Sequence, residues 1–140
     1  INCKEIILID DYGHHPIEIQ SNINAYKEEY PKKKVCMIFQ PHRYSRTAQL
    51  FDDFVKVLTK TDSLILLDIY SASEKPIRGI NSRTIAETIK QNGHKDVTYL
   101  KDHDEVINLI KNKKDYVDIV VTQGAGSISK VCESIKDKWK

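Results

Sequence analysis

Two arginines three positions apart, Arg43 and Arg46, stand in the run Gln40-Pro41-His42-Arg43-Tyr44-Ser45-Arg46. At a helix start this spacing puts both side chains on one face. Two planar guanidinium forks there suit the paired oxygens of a carboxylate or a phosphate. Of the chain's 22 basic residues only four are arginines, and two of those four are in this loop. An anion site therefore stands against the plainer reading of solvated surface cations. A second cluster, Asp10-Asp11-Tyr12-Gly13-His14-His15-Pro16, follows the apolar run Ile6-Ile7-Leu8-Ile9. Asp10 and Asp11 could hold a cation or bond a ribose hydroxyl; His14 and His15 could bind a metal, position a water or contact a substrate. Each residue alone reads as an Asx turn with a satisfied surface histidine. Together in one turn they favour a site. A third stretch, Gly124-Ala125-Gly126-Ser127, opens a helix whose bare N–H groups would favour a negative group, or it is a tight turn whose glycines permit close packing.

These clusters need elements to hold them. Apolar runs of strand length recur at Ile6–Ile9, Val35–Phe39, Leu64–Leu67, Val97–Leu100 and Ile119–Val121, with amphipathic stretches between them. Helices are expected near 17–29, 46–60, 83–92, 104–113 and 128–138, with apolar residues three or four apart such as Phe51, Phe54, Val55 and Leu58. Thr84-Ile85-Ala86-Glu87 has the form of a capping box, and Asp62-Ser63 and Asn92-Gly93 mark helix ends. Strands apolar throughout imply a sheet covered on both faces, so the expected fold is α/β, an open and mostly parallel sheet with helices on each side. In such sheets the ligand sits outside the carboxyl ends of the strands. The loops there are the clusters above together with Asp68-Ile69-Tyr70-Ser71-Ala72-Ser73-Glu74.

Length and composition bound the rest. At 140 residues and 40% hydrophobic the chain makes one domain with one sizeable core. A net charge of +2 gives no sign of a nucleic-acid or membrane partner. Cys3, Cys36 and Cys132 lie far apart without a C-x-x-C, which suggests neither a disulfide framework nor a zinc site and points to the cytoplasm. No apolar run reaches the roughly 18 residues of a membrane span. Lacking an initiator methionine and starting almost at its first strand, the chain is expected to be a domain of a longer protein. It contains no G-x-x-x-x-G-K-[ST], and Gly124-Ala125-Gly126 is a poor dinucleotide fingerprint because only fourteen residues follow Gly126.

Two families share features with this pattern. Strands ending in Asp10-Asp11 and in Asp68 resemble response-regulator receiver domains, which would make Asp68 a phosphorylation site beside a magnesium-holding acidic pair. Receivers carry a Lys-Pro after their last strand, whereas here Gln123-Gly124-Ala125-Gly126 follows it and the only Lys-Pro is Lys75-Pro76. The ordered motifs Asp10–Pro16, Phe39–Thr47, Asp68–Ala72 and Gly124–Ile128 resemble, over nearly the whole chain, the C-terminal domain of the Mur ligases of peptidoglycan synthesis. The tyrosine-glycine before the histidine pair is more similar to the UDP-N-acetylmuramate:L-alanine ligases than to their peptide-recycling relatives. Ser73 departs from the resemblance, standing where that family usually has glycine.

That resemblance implies a three-domain, ATP-dependent cytoplasmic ligase. Its N-terminal and central domains would lie outside this chain, with ATP and Mg2+ held mainly by the central one. An acyl phosphate would form on UDP-N-acetylmuramate, and the present domain, expected to fold independently, would close over it and bring in L-alanine. It further implies that Tyr12, His14, Arg43 and Arg46 surround alanine, with the arginines on its carboxylate, that His42, Ala125 and Gly126 are weaker members of the pocket, and that Asp11 reaches the ATP ribose. No catalytic residue and no metal ligand is expected within the chain itself.

Overall fold

In the computed structural model, which describes residues 6–113 and 116–138, five strands form one sheet. They are β1 (Ile7–Asp11), β2 (Val35–Phe39), β3 (Ser63–Leu67), β4 (Val97–Leu100) and β5 (Ile119–Gln123). Every pairing is parallel and the order is β1-β5-β2-β3-β4. The three inner strands are almost wholly buried, as apolar residues on both faces demand. β1 and β4 are the edges and are only partly covered, and they are also more polar, β1 ending in Asp10-Asp11 and β4 carrying Thr98 and Tyr99.

The helices divide between the faces. α1 (Pro16–Glu29), α3 (Phe51–Leu58) and α4 (Ser82–Gln91) pack Ile19, Ile23, Phe54, Leu58, Ile85 and Ile89 onto Met37, Phe39, Leu64 and Leu66. α5 (His103–Lys113) and α6 (Ile128–Lys138) cover the opposite face, where Val106, Ile110, Ile128, Val131 and Ile135 meet Cys36, Ile38, Ile65, Leu67 and Val120. Burying each such side chain is worth about 1.5–3 kcal/mol. The chain moves outward from β2 to β4 along the first face, then returns through α5 to insert β5 between β1 and β2. That reversal places the carboxyl ends of β1, β5 and β2 side by side at the switch point, where open α/β sheets hold ligands.

Several local expectations are revised. The helix expected over 46–60 is two helices, α2 (Tyr44–Gln49) and α3, separated at Leu50 (φ −111°, ψ 21°). No glycine or proline marks the break; Leu50 itself packs against the core and lets α2 turn toward the strand ends. α4 starts earlier than its expected capping box, because Asn81 is the N-cap and its Oδ1 accepts the Thr84 N–H at 2.8 Å. A capping box does exist, at His15 and Glu18. Gly93 takes the left-handed conformation just after α4, as Asn92-Gly93 suggests. Ser63, by contrast, begins β3, and Asp62 Oδ2 accepts the Val35 N–H at 3.0 Å. Cys36 and Cys132 are buried free thiols, while the reading of Cys3 lies outside the described residues. No helix among the described residues is long and apolar enough to cross a membrane.

Candidate functional site at the carboxyl ends of the strands

The turn after β1 is built by Asp11. Its Oδ1 accepts the Gly13 N–H at 2.8 Å, an Asx turn, and the Gln123 Nε2–H at 3.1 Å. For Asp11 the plain reading of an Asx turn therefore holds. His15 is structural: its Nδ1 accepts the Ile17 N–H at 3.1 Å while its own N–H donates to Glu18 Oε1, closing the start of α1. Asp10 is engaged by the Thr122 hydroxyl at 2.7 Å. Of the other two, Tyr12 has 71% of its surface exposed, and the Nδ1 of His14 lies 3.4 Å from the Tyr12 carbonyl.

The loop after β2 leads into the arginines. His42 bridges in parallel to Tyr70 of the loop after β3, and the two rings stack with centroids 5.4 Å apart and planes 17° from parallel. On its other side the His42 ring lies 5.6 Å from that of His14, which joins the β1 and β2 loops. Arg43 is the N-cap of α2 with φ 73° and donates its N–H to the Tyr70 carbonyl at 2.7 Å. Arg46 lies one turn on, half-buried. Burial, then the charges of His14, Arg46 and Arg43, push the pKa of His42 down against the opposing pull of Glu74. The neutral form of His42 is thereby favoured beside the two arginines.

Two buried polar atoms here have no hydrogen-bond partner, Nη1 of Arg46 and Nδ1 of His42. A buried guanidinium nitrogen without an acceptor is costly unless something else supplies one. The glycines after β5 have packing reasons of their own. A Cβ at Gly124 would come within 2.7 Å of the Gln40 carbonyl, and one at Gly126 within 2.6 Å of the Tyr70 ring. Only glycine at these two positions lets the turn press against the β2 and β3 loops, and Ala125 between them is partly buried. Gln40 ties the three loops, donating through Nε2 to Ser127 Oγ at 3.2 Å and to the Asp68 carbonyl at 3.3 Å.

The structure thus brings Asp11, His14, His42, Arg43, Arg46 and Gly126 to one edge. It also adds Gln40, Tyr70, Glu74 and Gln123, whose partners are remote in sequence and so were visible only as members of motifs. Among the described residues no group of three or more His, Cys, Asp or Glu lies close enough to hold a metal ion. The receiver reading does not survive the topology. Flavodoxin-like domains order their strands 2-1-3-4-5, whereas here β5 and β2 separate the Asp10-Asp11 strand from the Asp68 strand. Asp68 Oδ1 is moreover held by the Tyr99 hydroxyl.

A parallel sheet whose strand-end loops converge on two arginines, one with a buried guanidinium nitrogen that has no hydrogen-bond partner, defines an α/β domain with a cationic strand-end edge. The chain belongs to the Mur ligase, glutamate ligase domain family, whose model matches residues 1–126. Solved structures share the fold. UDP-N-acetylmuramate-alanine ligase MurC from Thermotoga maritima matches with TM-score 0.72 and 24% identity, over 94% of this chain and 26% of that one. Murein peptide ligase from Psychrobacter arcticus matches with TM-score 0.72 and 17% identity, over 98% of this chain and 28% of that one. A domain of a putative UDP-N-acetylmuramate:L-alanyl-gamma-D-glutamyl-medo-diaminopimelate ligase from Haemophilus ducreyi matches with TM-score 0.67 and 15% identity, over 99% and 98%. The chain spans about a quarter of the length of the Thermotoga protein.

Proposed function

We propose that this chain is the amino-acid-binding domain of an ATP-dependent ligase that joins L-alanine to UDP-N-acetylmuramate. The observation that carries the reading is the buried, unpartnered Arg46 Nη1, with Arg43 and His42 on the same loop at the carboxyl ends of the strands. A carboxylate would complete that arrangement. Arg43 and Arg46 would take the two oxygens of alanine, with His42 and His14 lining the pocket, Tyr12 reaching over it and Ala125 and Gly126 forming its floor. Asp11 has one oxygen committed to its turn, which leaves Oδ2 to meet the ATP ribose.

Held by its carboxylate, the amino acid points its amine at the muramyl acyl phosphate. The amine forms the new bond to the acyl carbon, the bond to the phosphate oxygen breaks, inorganic phosphate leaves, and the nitrogen gives up a proton. Orienting two reactants in this way is worth roughly 7–11 kcal/mol of barrier. ATP and Mg2+ would be held mainly by a central domain, as the absence of a P-loop motif in this sequence suggests. The domain's contribution is positioning, with no catalytic residue of its own.

The test is phosphate release by the complete protein with ATP and UDP-N-acetylmuramate, comparing alanine, glycine, serine and meso-diaminopimelate. Alanine should give the highest kcat/KM. The 140 residues alone should release none. A higher kcat/KM for another amino acid, or turnover by the isolated domain, would overturn the assignment.

A further inference from the structure

Gln123 ends β5, the strand between β1 and β2, and is fully buried. Its side-chain amide is oriented by three partners. Nε2 donates to the Gly13 carbonyl at 2.6 Å and to Asp11 Oδ1 at 3.1 Å, and Oε1 accepts from Asn22 Nδ2 of α1 at 3.3 Å. The Gly13 backbone is drawn so close that a Cβ there would stand 2.8 Å from Nε2. The backbone of Gln123 meanwhile receives the Gln40 N–H at 3.1 Å, at the head of the arginine loop.

One residue is therefore the common reference for both halves of the site. Through its amide it fixes the turn carrying Asp11, Tyr12 and His14; through its carbonyl it fixes the loop leading to His42, Arg43 and Arg46. We infer that Gln123 is a positioning residue for the ligase reaction, acting through Asp11 and the Gly13 turn and touching neither substrate. The inference rests on the ligase reading above. Only an amide meets the geometry, because two acceptors face one end and a donor faces the other. Glutamate would aim an oxygen at a carboxylate and a carbonyl, and methionine would remove the partner of the Gly13 carbonyl and of the Asn22 amide and one of the two donors to Asp11 Oδ1.

The experiment uses Gln123→Glu and Gln123→Met in the complete protein, with KM for alanine and for ATP measured separately from kcat. Displacement of the turn by a fraction of its width should raise both KM values about tenfold or more, since misplacement of roughly 1 Å can cost on the order of 100-fold. Wild-type KM values in both variants, or a fall in activity that follows only the folded fraction, would overturn the inference. If wild-type protein itself shows no alanine-dependent turnover, the ligase reading fails separately. Amide hydrogen exchange in the complete protein then decides whether Gln123 holds the turn. Exchange at Gly13 that quickens by roughly tenfold in Gln123→Met, with Leu66 unchanged, supports it, and unchanged protection at Gly13 rejects it.

Discussion

Glu74 reaches from the loop after β3 to the first turn of α2, where its carboxylate takes the Ser45 N–H at 3.0 Å and the Ser45 hydroxyl at 2.5 Å. α2 needs this help, because its N-cap is Arg43, which offers no capping oxygen. The acid of one loop thus holds the start of the short helix that carries Arg46.

A pH-dependent stability follows. The hydrogen bonds from Ser45 lower the pKa of Glu74 from its usual 4.5. A carboxylate depressed on folding stabilises the native state above its unfolded pKa and ceases to do so as pH falls through the folded value. Glu74→Gln should therefore lower the urea midpoint at neutral pH, and the gap to wild type should close in acid below that lowered value. A gap that is the same at neutral and acid pH would show that Glu74 acts there only by its shape.

Ser73 adopts φ 72° and Ala72 φ 50°, both left-handed. The conformation that glycine serves in the resembling motif is thus kept here by serine at a cost in backbone strain. Relief of about 1–2 kcal/mol of left-handed strain, less about 0.4–1 kcal/mol for the looser unfolded chain, predicts that Ser73→Gly stabilises the domain by about 0.5–1 kcal/mol. Equilibrium urea unfolding measures it. A loss of stability would mean that the serine side chain is itself holding the loop.

The sheet was legible because β2, β3 and β5 are apolar on both faces, and their bounds match the apolar runs to within two residues. The apolar run at the start of β1 reads like that of a central strand, and its edge position is set by its partners, which composition does not record. The break at Leu50 was invisible for a related reason: an apolar residue continues the helical period while its backbone departs from it. At the strand ends, the loops that carry Asp11, His14, His42, Arg43 and Arg46 do meet at one edge, as the strand-end rule expects. Sorting His14 from His15 required the N-cap geometry, and Asp10 required Thr122, which lies 112 residues away. Gln40, Glu74 and Gln123 act through contacts across 28, 29 and 110 residues, beyond the reach of any local pattern.

Asp68 should not be phosphorylated. Its Oδ1 accepts the Tyr99 hydroxyl, over whose ring Arg83 lies at 5.4 Å, and no acidic pair stands on a neighbouring strand. Intact mass after incubation with magnesium and acetyl phosphate should be unchanged. A stoichiometric, base-labile phosphoryl adduct at Asp68 would contradict the topology argument.

The most direct measurement is the alanine dependence of the complete protein carrying Arg46→Ala, with Arg43→Ala and Arg46→Lys beside it. Losing a charge-assisted contact to the alanine carboxylate costs about 2–5 kcal/mol where it is buried, so the larger loss is expected at half-buried Arg46 and the smaller at exposed Arg43. Both alanine variants should therefore raise the KM for alanine and lower kcat, with the KM for ATP much less affected. Arg46→Lys should recover only part, since an ammonium cannot reproduce the fork. Exposed surface cations would instead change stability by no more than about 0.5 kcal/mol. Wild-type KM for alanine and wild-type kcat in both alanine variants would show that these arginines do not hold the amino acid.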